Sequence, residues 1–280
     1  MRAIAVAFAA IAILQGSNAE VLRARLHAYL TDYQPKLSAL IADEVMVQQN
    51  VHGPKPTGGA GPRQFRTIRS EVAFIALPGD QQWLGFRRVN KVGNDAVDAQ
   101  ASSLATVLAA GDQDDYAKAK AMLAESARHN LGSPRTTNLP NLPLEFLHPR
   151  HAARFSVQED GEERVEGRRT VRLVFVEQAT PTLITAQDSA SMRSVVTAWI
   201  ERDSGRLWRA DVITRDPAKG QWAFDHVVSV RFRAQPKLGL LVPANMLEQF
   251  FAGENRLGTS DASYTNYRRF QTSARIVPQP

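Results

Sequence analysis

Gln221–Arg233 reads QWAFDHVVSVRFR, and its alternation decides the fold. Trp222, Phe224, Val228, Val230 and Phe232 point one way, while Asp225, Ser229, Arg231 and Arg233 point the other; Val227 is the exception. Successive side chains of a strand stand on opposite faces, so the stretch is a strand with one dry face and one wet one, the signature of an antiparallel sheet. Working backwards, Asp216-Pro217-Ala218-Lys219-Gly220 is a turn from Arg206–Thr214, and Asp203-Ser204-Gly205 is a turn from Val195–Arg202. Thr170–Glu177 precedes these strands and Tyr264–Ile276 closes the series. Near the start, Arg66–Leu77 and Gln82–Val92 flank Pro78-Gly79-Asp80 as a hairpin, with Ile68, Val72, Phe74 and Ala76 on its buried face.

Helices interrupt this order. Leu22, Leu26, Leu30, Tyr33, Leu37 and Leu40 recur at helical spacing and predict an amphipathic helix over Glu20–Glu44, which Pro35 should kink or divide. The alanine-rich stretch Asp98–Asn130 predicts two inserted helices separated by Gly111-Asp112. Gly132–Pro149, with Pro134, Pro140 and Pro143, reads as an extended surface loop, and Pro243–Phe251 (PANMLEQFF) as a short helix. A leading helix followed by a long strand meander makes the class α+β.

The N-terminus speaks to compartment. Arg2, the apolar run Ala3–Leu14 and the small residues around Ser17-Asn18-Ala19 form a secretory signal, with Glu20 as the mature start. Residues 20–280 are then expected to form one domain with a helical insertion near 98–130, in the periplasm or secreted. No later segment has the length of a membrane span. The chain has no cysteine, so its stability rests on core burial, and it lacks the residue that carries a lipoprotein's lipid. The 34 basic and 28 acidic residues leave a net charge of +6, which favours anionic surfaces. The basic residues are scattered, without the aromatic interleaving of a nucleic-acid strand binder.

Several motifs together resemble a family of uncharacterised secreted bacterial proteins. They are DEVMVQQ, RSEVAFIALPGDQQWLGFRRVNKV, ARHNLGSPRTTNLPNLPLEFL, VFVEQATPTLI, AWIERDSGRLWRADV, LVPANMLEQF and ASYTNYRRFQ. The arrangement is also similar to lipoprotein carriers and receptors of the LolA/LolB type. That resemblance implies an unclosed β half-barrel, with the N-terminal and inserted helices packed on its concave face over an apolar cavity. It transfers no functional residue.

Catalytic chemistry is hard to find. The histidines offer no HExxH, and Pro149 spoils a helical display of His148 and His151, which read as solvated loop residues. There is no G-x-S-x-G or S-x-x-K with its companions. Glu71, Glu177 and Glu201 could pair as sugar-cleaving carboxylates, but neighbouring arginines make cross-strand ion pairs the simpler account. No cofactor is implied. What remains is aromatic: Phe74, Phe86, Trp199, Trp208, Trp222, Phe224 and Phe232 form either a core or the wall of an apolar site, with Arg88 and Arg268 available to an anionic head group. Three functions stay open: a non-enzymatic carrier of a lipid or lipoprotein acyl chain, a module that holds an envelope protein partner, and a hydrolase.

Overall fold

The computed structural model describes residues 2–38, 40–51, 63–76, 83–97, 104, 113–132, 134–185, 191–215, 224–253 and 255–269; within these, the side chains of 2–17, 51, 76, 83, 84, 113–120 and 224 are left aside. Three helices are described: α1 (Arg2–Leu37), α2 (Gln113–Arg128) and α3 (Leu142–Phe146), with a 3-10 turn at Pro149–Arg154. The strands are β1 (Leu40–Val51), β2 (Arg63–Ala76), β3 (Trp83–Val92), β4 (Asp95–Ala96), β5 (Phe155–Val165) and β6 (Arg168–Glu177). They continue with β7 (Ile184–Thr185), β8 (Ser191–Ile200), β9 (Leu207–Arg215), β10 (Phe224–Gln235), β11 (Leu240–Ala252) and β12 (Asn255–Arg269).

All pairings are antiparallel, in the order β4-β3-β2-β1-β12-β11-β10-β9-β8-β6-β5, with β7 beside β8. The sheet is curved and does not close, so the architecture is an α+β half-barrel. The predicted hairpin is β2–β3, and the strands around Asp203-Ser204-Gly205 are β8 and β9. On β10, Val228, Val230 and Phe232 are buried while Arg231 and Arg233 are exposed, as the alternation requires.

Two sequence expectations are corrected. The leading helix stops at Leu37, and Leu40–Val51, which includes DEVMVQQ, is strand β1. Pro35 does not divide α1, because it falls in the final turn, where few backbone bonds follow it. Likewise Pro243–Phe251 is no helix but part of β11, paired on both sides. Its proline is accommodated at an irregularity: Phe232 opposes Pro243 and Arg231 opposes Asn245, which leaves Ala244 as an extra residue. Of the inserted helices, α2 is present, whereas the first lies largely outside the described residues.

The core fills the concave side. Leu22, Leu26, Leu30, Tyr33 and Leu37 of α1 are buried against inward residues of the sheet such as Ala42, Val72, Val196 and Val230. Burying each such leucine contributes about 1.5–3 kcal/mol. Gly205 makes the seat possible. Its φ of +67° suits glycine, and a Cβ there would lie 2.4 Å from the Arg25 carbonyl of α1. On the outer face a smaller cluster of Ile41, Ala73, Phe86 and Leu104 is touched by Met122 and Leu123 of α2.

Candidate functional site

The concave face is graded along its strands. Its middle row is apolar, with Leu173, Ala198, Ala210, Val230, Met246 and Ala262 in cross-strand register. One row on, Val228 opposes Glu248, Glu248 opposes Ser260, and Ser260 opposes Gln48. On the other side of the apolar row Glu44 opposes Tyr264. Glu44, Gln48, Glu248 and Ser260 are all buried. Polar groups at such depth need partners, and segment 130–154 supplies them.

Arg87 grips Glu44 with two bonds, Nε to Oε2 at 2.7 Å and Nη2 to Oε1 at 2.8 Å. It also donates to Asn138 of the segment, at the side-chain oxygen (2.9 Å) and the carbonyl (2.6 Å). Burial works to lower the Arg87 pKa, but the facing Glu44 carboxylate outweighs it and the net shift is upward. Further along, Arg135 forks onto Glu248 at 2.9 and 2.8 Å, and His226 Nε2 lies 2.9 Å from the same carboxylate. Burial works to raise the Glu248 pKa, yet bonds from His226 and Arg135 hold it down at about 2. Gln48 donates to Asn130 and accepts from the Leu131 amide, and His148 shares a 3.1 Å bond with Gln34 of α1. The loop read as a surface run is therefore pinned across the concave face. His148 is buried rather than solvated, and His151 meets Glu145 at 3.1 Å.

A groove of about 610 Å³ opens beside this segment, between it and the β7 end of the sheet. Leu123, Leu139, Leu142, Phe146, Leu183 and Ile184 supply apolar lining, and Glu145, Arg150 and His151 stand among the polar groups. Gly85 lets the segment come close, since a Cβ there would meet Asn141 Oδ1 at 2.3 Å and Leu139 at 2.8 Å. Burial first, then Arg150 and Arg154, lower the His151 pKa to about 4. The imidazole is therefore neutral at pH 7, and the charge here is that of the Arg150–Glu145 pair.

The described aromatic and basic residues singled out from sequence do not meet at the groove. Phe74 and Phe232 lie in the main core, and Phe86 in the smaller cluster. Trp199 donates to Glu163 at 2.8 Å with Arg209 stacked 4.2 Å above its ring. Trp208 donates to Glu201 at 3.0 Å. Arg88 faces Glu71 at 3.8 Å, and Arg268 holds Asp43 and Glu71. Trp222 and the Phe224 side chain lie outside the described residues. None of those described lines the groove. The candidate carboxylates are engaged too: Glu71 accepts from the Leu104 amide, and Glu177 from the Leu183 amide. Apart from Leu123 on α2 and Gly85 on β3, the groove residues went unread because they sit on short stretches with no periodicity; the proline-spaced leucines of NLPNLPLEFL were the available signal.

No family model matches the chain, and no curated protein does. Solved structures do. One is a DUF1329 family protein from Desulfovibrio piger (TM-score 0.45, 11% identity, covering 90% of this chain and 92% of that one). A second is an outer membrane lipoprotein-sorting protein domain from Vibrio parahaemolyticus (0.40, 11%, 88% and 93%). A third is a LolA superfamily protein from Nitrosomonas europaea (0.36, 9%, 90% and 94%). The likeness concerns the course of the chain and assigns no residue a role.

Proposed function

We propose that this protein is a non-enzymatic binder of an apolar or amphipathic ligand, a lipid or a lipoprotein acyl chain, in the cell envelope. The observation that carries the reading is the groove. Its volume of about 610 Å³ falls in the range usual for small-molecule sites, and its lining sets six apolar side chains beside Thr136, Thr137, Asn141, Glu145, Arg150 and His151, a mixture that suits an amphipathic ligand. Segment 130–154 forms one wall, held by buried ion pairs and by Leu144, Phe146 and Leu147 packed into the core. In this reading residues 1–19 are removed on export and the remainder works in the periplasm or outside the cell. Native mass spectrometry of the purified protein, followed by organic extraction, should find a co-purifying lipid. Leu142→Glu, which places a charge in the groove, should abolish its retention while the far-ultraviolet spectrum is unchanged. A protein that carries no lipid and binds no added fatty-acid probe would end this reading.

A further inference from the structure

The outer face of the sheet offers a second surface, on the opposite side from segment 130–154. In cross-strand register, one outward row holds Lys91, Arg69, Val45, Ser263, Asn245 and Arg231. The next row holds Val47, Asp261 and Leu247, and the one beyond it Phe65 and Gln49. Arg63 follows on the Phe65 side, two residues away on the same face of β2. The apolar members are open to solvent: Phe65 is 67% exposed, Val47 46% and Leu247 37%.

The charges on this face are unequal in how they are engaged. Its acids are mostly matched, Asp43 by Arg268, Asp211 by Arg209 and Asp225 by Arg215. Asp261 stands within the patch. Arg63, Arg69 and Lys91 make no ion pair among the described residues, and Arg231 has only Glu166 at 3.9 Å. The patch thus joins Arg63, Arg69 and Lys91, and Arg231 with its long contact to Glu166, to a protruding aromatic ring between Arg63 and Arg69 on β2, on a chain of net charge +6. Basic groups reach lipid phosphates electrostatically, while exposed apolar side chains such as Phe enter the boundary between headgroups and acyl chains.

We propose that this outer face docks on a membrane surface of anionic phospholipid. Arg63, Arg69, Lys91 and Arg231 meet the phosphates, Phe65 enters the headgroup layer with Val47 and Leu247 beside it, and segment 130–154 faces away from the bilayer. The proposal does not depend on the groove being filled: a chain without a bound lipid would dock in the same way.

The test is sedimentation of the full chain with vesicles of phosphatidylcholine, with and without phosphatidylglycerol. Binding should require phosphatidylglycerol and fall steeply with added salt. Each cation removed should weaken binding roughly fivefold, so Arg63→Gln with Arg69→Gln should cost roughly 25-fold. Phe65→Ser should cost about tenfold. Lys237→Glu, exposed in the turn between β10 and β11, should change nothing beyond the effect of shifting the net charge by two units at a distant point. These side chains are exposed, so the folds should survive, which circular dichroism checks. The apolar run at 3–14 is shared by all variants, so differences between them report on the sheet face. Equal binding to both vesicle types, wild-type binding by the patch variants, or an equal loss in Lys237→Glu would overturn the proposal. Self-association that Phe65→Ser abolishes, without vesicle binding, would instead assign the face to a second copy of the chain.

Discussion

Helix α1 and segment 130–154 cover the same concave face, and they are held there by opposite means. The helix sits on an apolar seat of Leu22, Leu26, Leu30, Tyr33 and Leu37. The segment is tied by the Arg87–Glu44–Asn138 and Arg135–Glu248–His226 clusters, though it also buries Leu144, Phe146 and Leu147. Apolar contact is non-directional and persists through small shifts, whereas a buried ion pair is set by geometry and is costly once half-broken.

The sharpest way to break that contrast is Arg87→Met, which strands the Glu44 carboxylate. It should cost about 4 kcal/mol, read as lost hydrogen-exchange protection across 131–147. An equal loss over α1 would show that the two elements open as one. Leu26→Ala should cost about 3 kcal/mol in urea unfolding, and here every region should share the loss. The third effect is set by pH. Glu248 has a folded pKa of about 2 against an ordinary value of 4.5. Its contribution is therefore full above the unfolded value and is lost as pH falls from there towards 2. This amounts to roughly 3 kcal/mol or less. Thermal unfolding followed across that window should show the loss in the wild type and a flatter profile in Glu248→Gln.

These same residues explain which parts of the structure were legible in the sequence. Strands β2, β8, β9 and β10 obey the dry-and-wet alternation and were readable from it. On β1, Glu44 and Gln48 face inward while Val45 and Val47 face outward. On β11, Glu248 is inward and Leu247 outward. Each strand inverts the expected pattern at these positions, and Leu40–Glu44 of β1 and Pro243–Phe251 of β11 fall in stretches read as helix. The inverted positions are the inward polar groups that tie segment 130–154 and the outward apolar groups of the exposed patch. A local rule fails where a sequence serves something besides the core. The groove was illegible for another reason: its lining comes from α2, the segment, and the β7 region, which only the tertiary fold brings together.

Strand β1 lies beside β12, so the first strand of the chain finds its neighbour in the last one described. As the chain emerges, β1–β3 can form a hairpin sheet, but its inner edge stays open until almost everything else has been made. An open edge of that kind is a template for pairing with another chain. Closure through such distant partners is also slow, because the loop entropy is lost before the contacts form. The order of synthesis thus gives this protein an interval in which an escort that shields the β1 edge should raise the yield of correctly joined molecules.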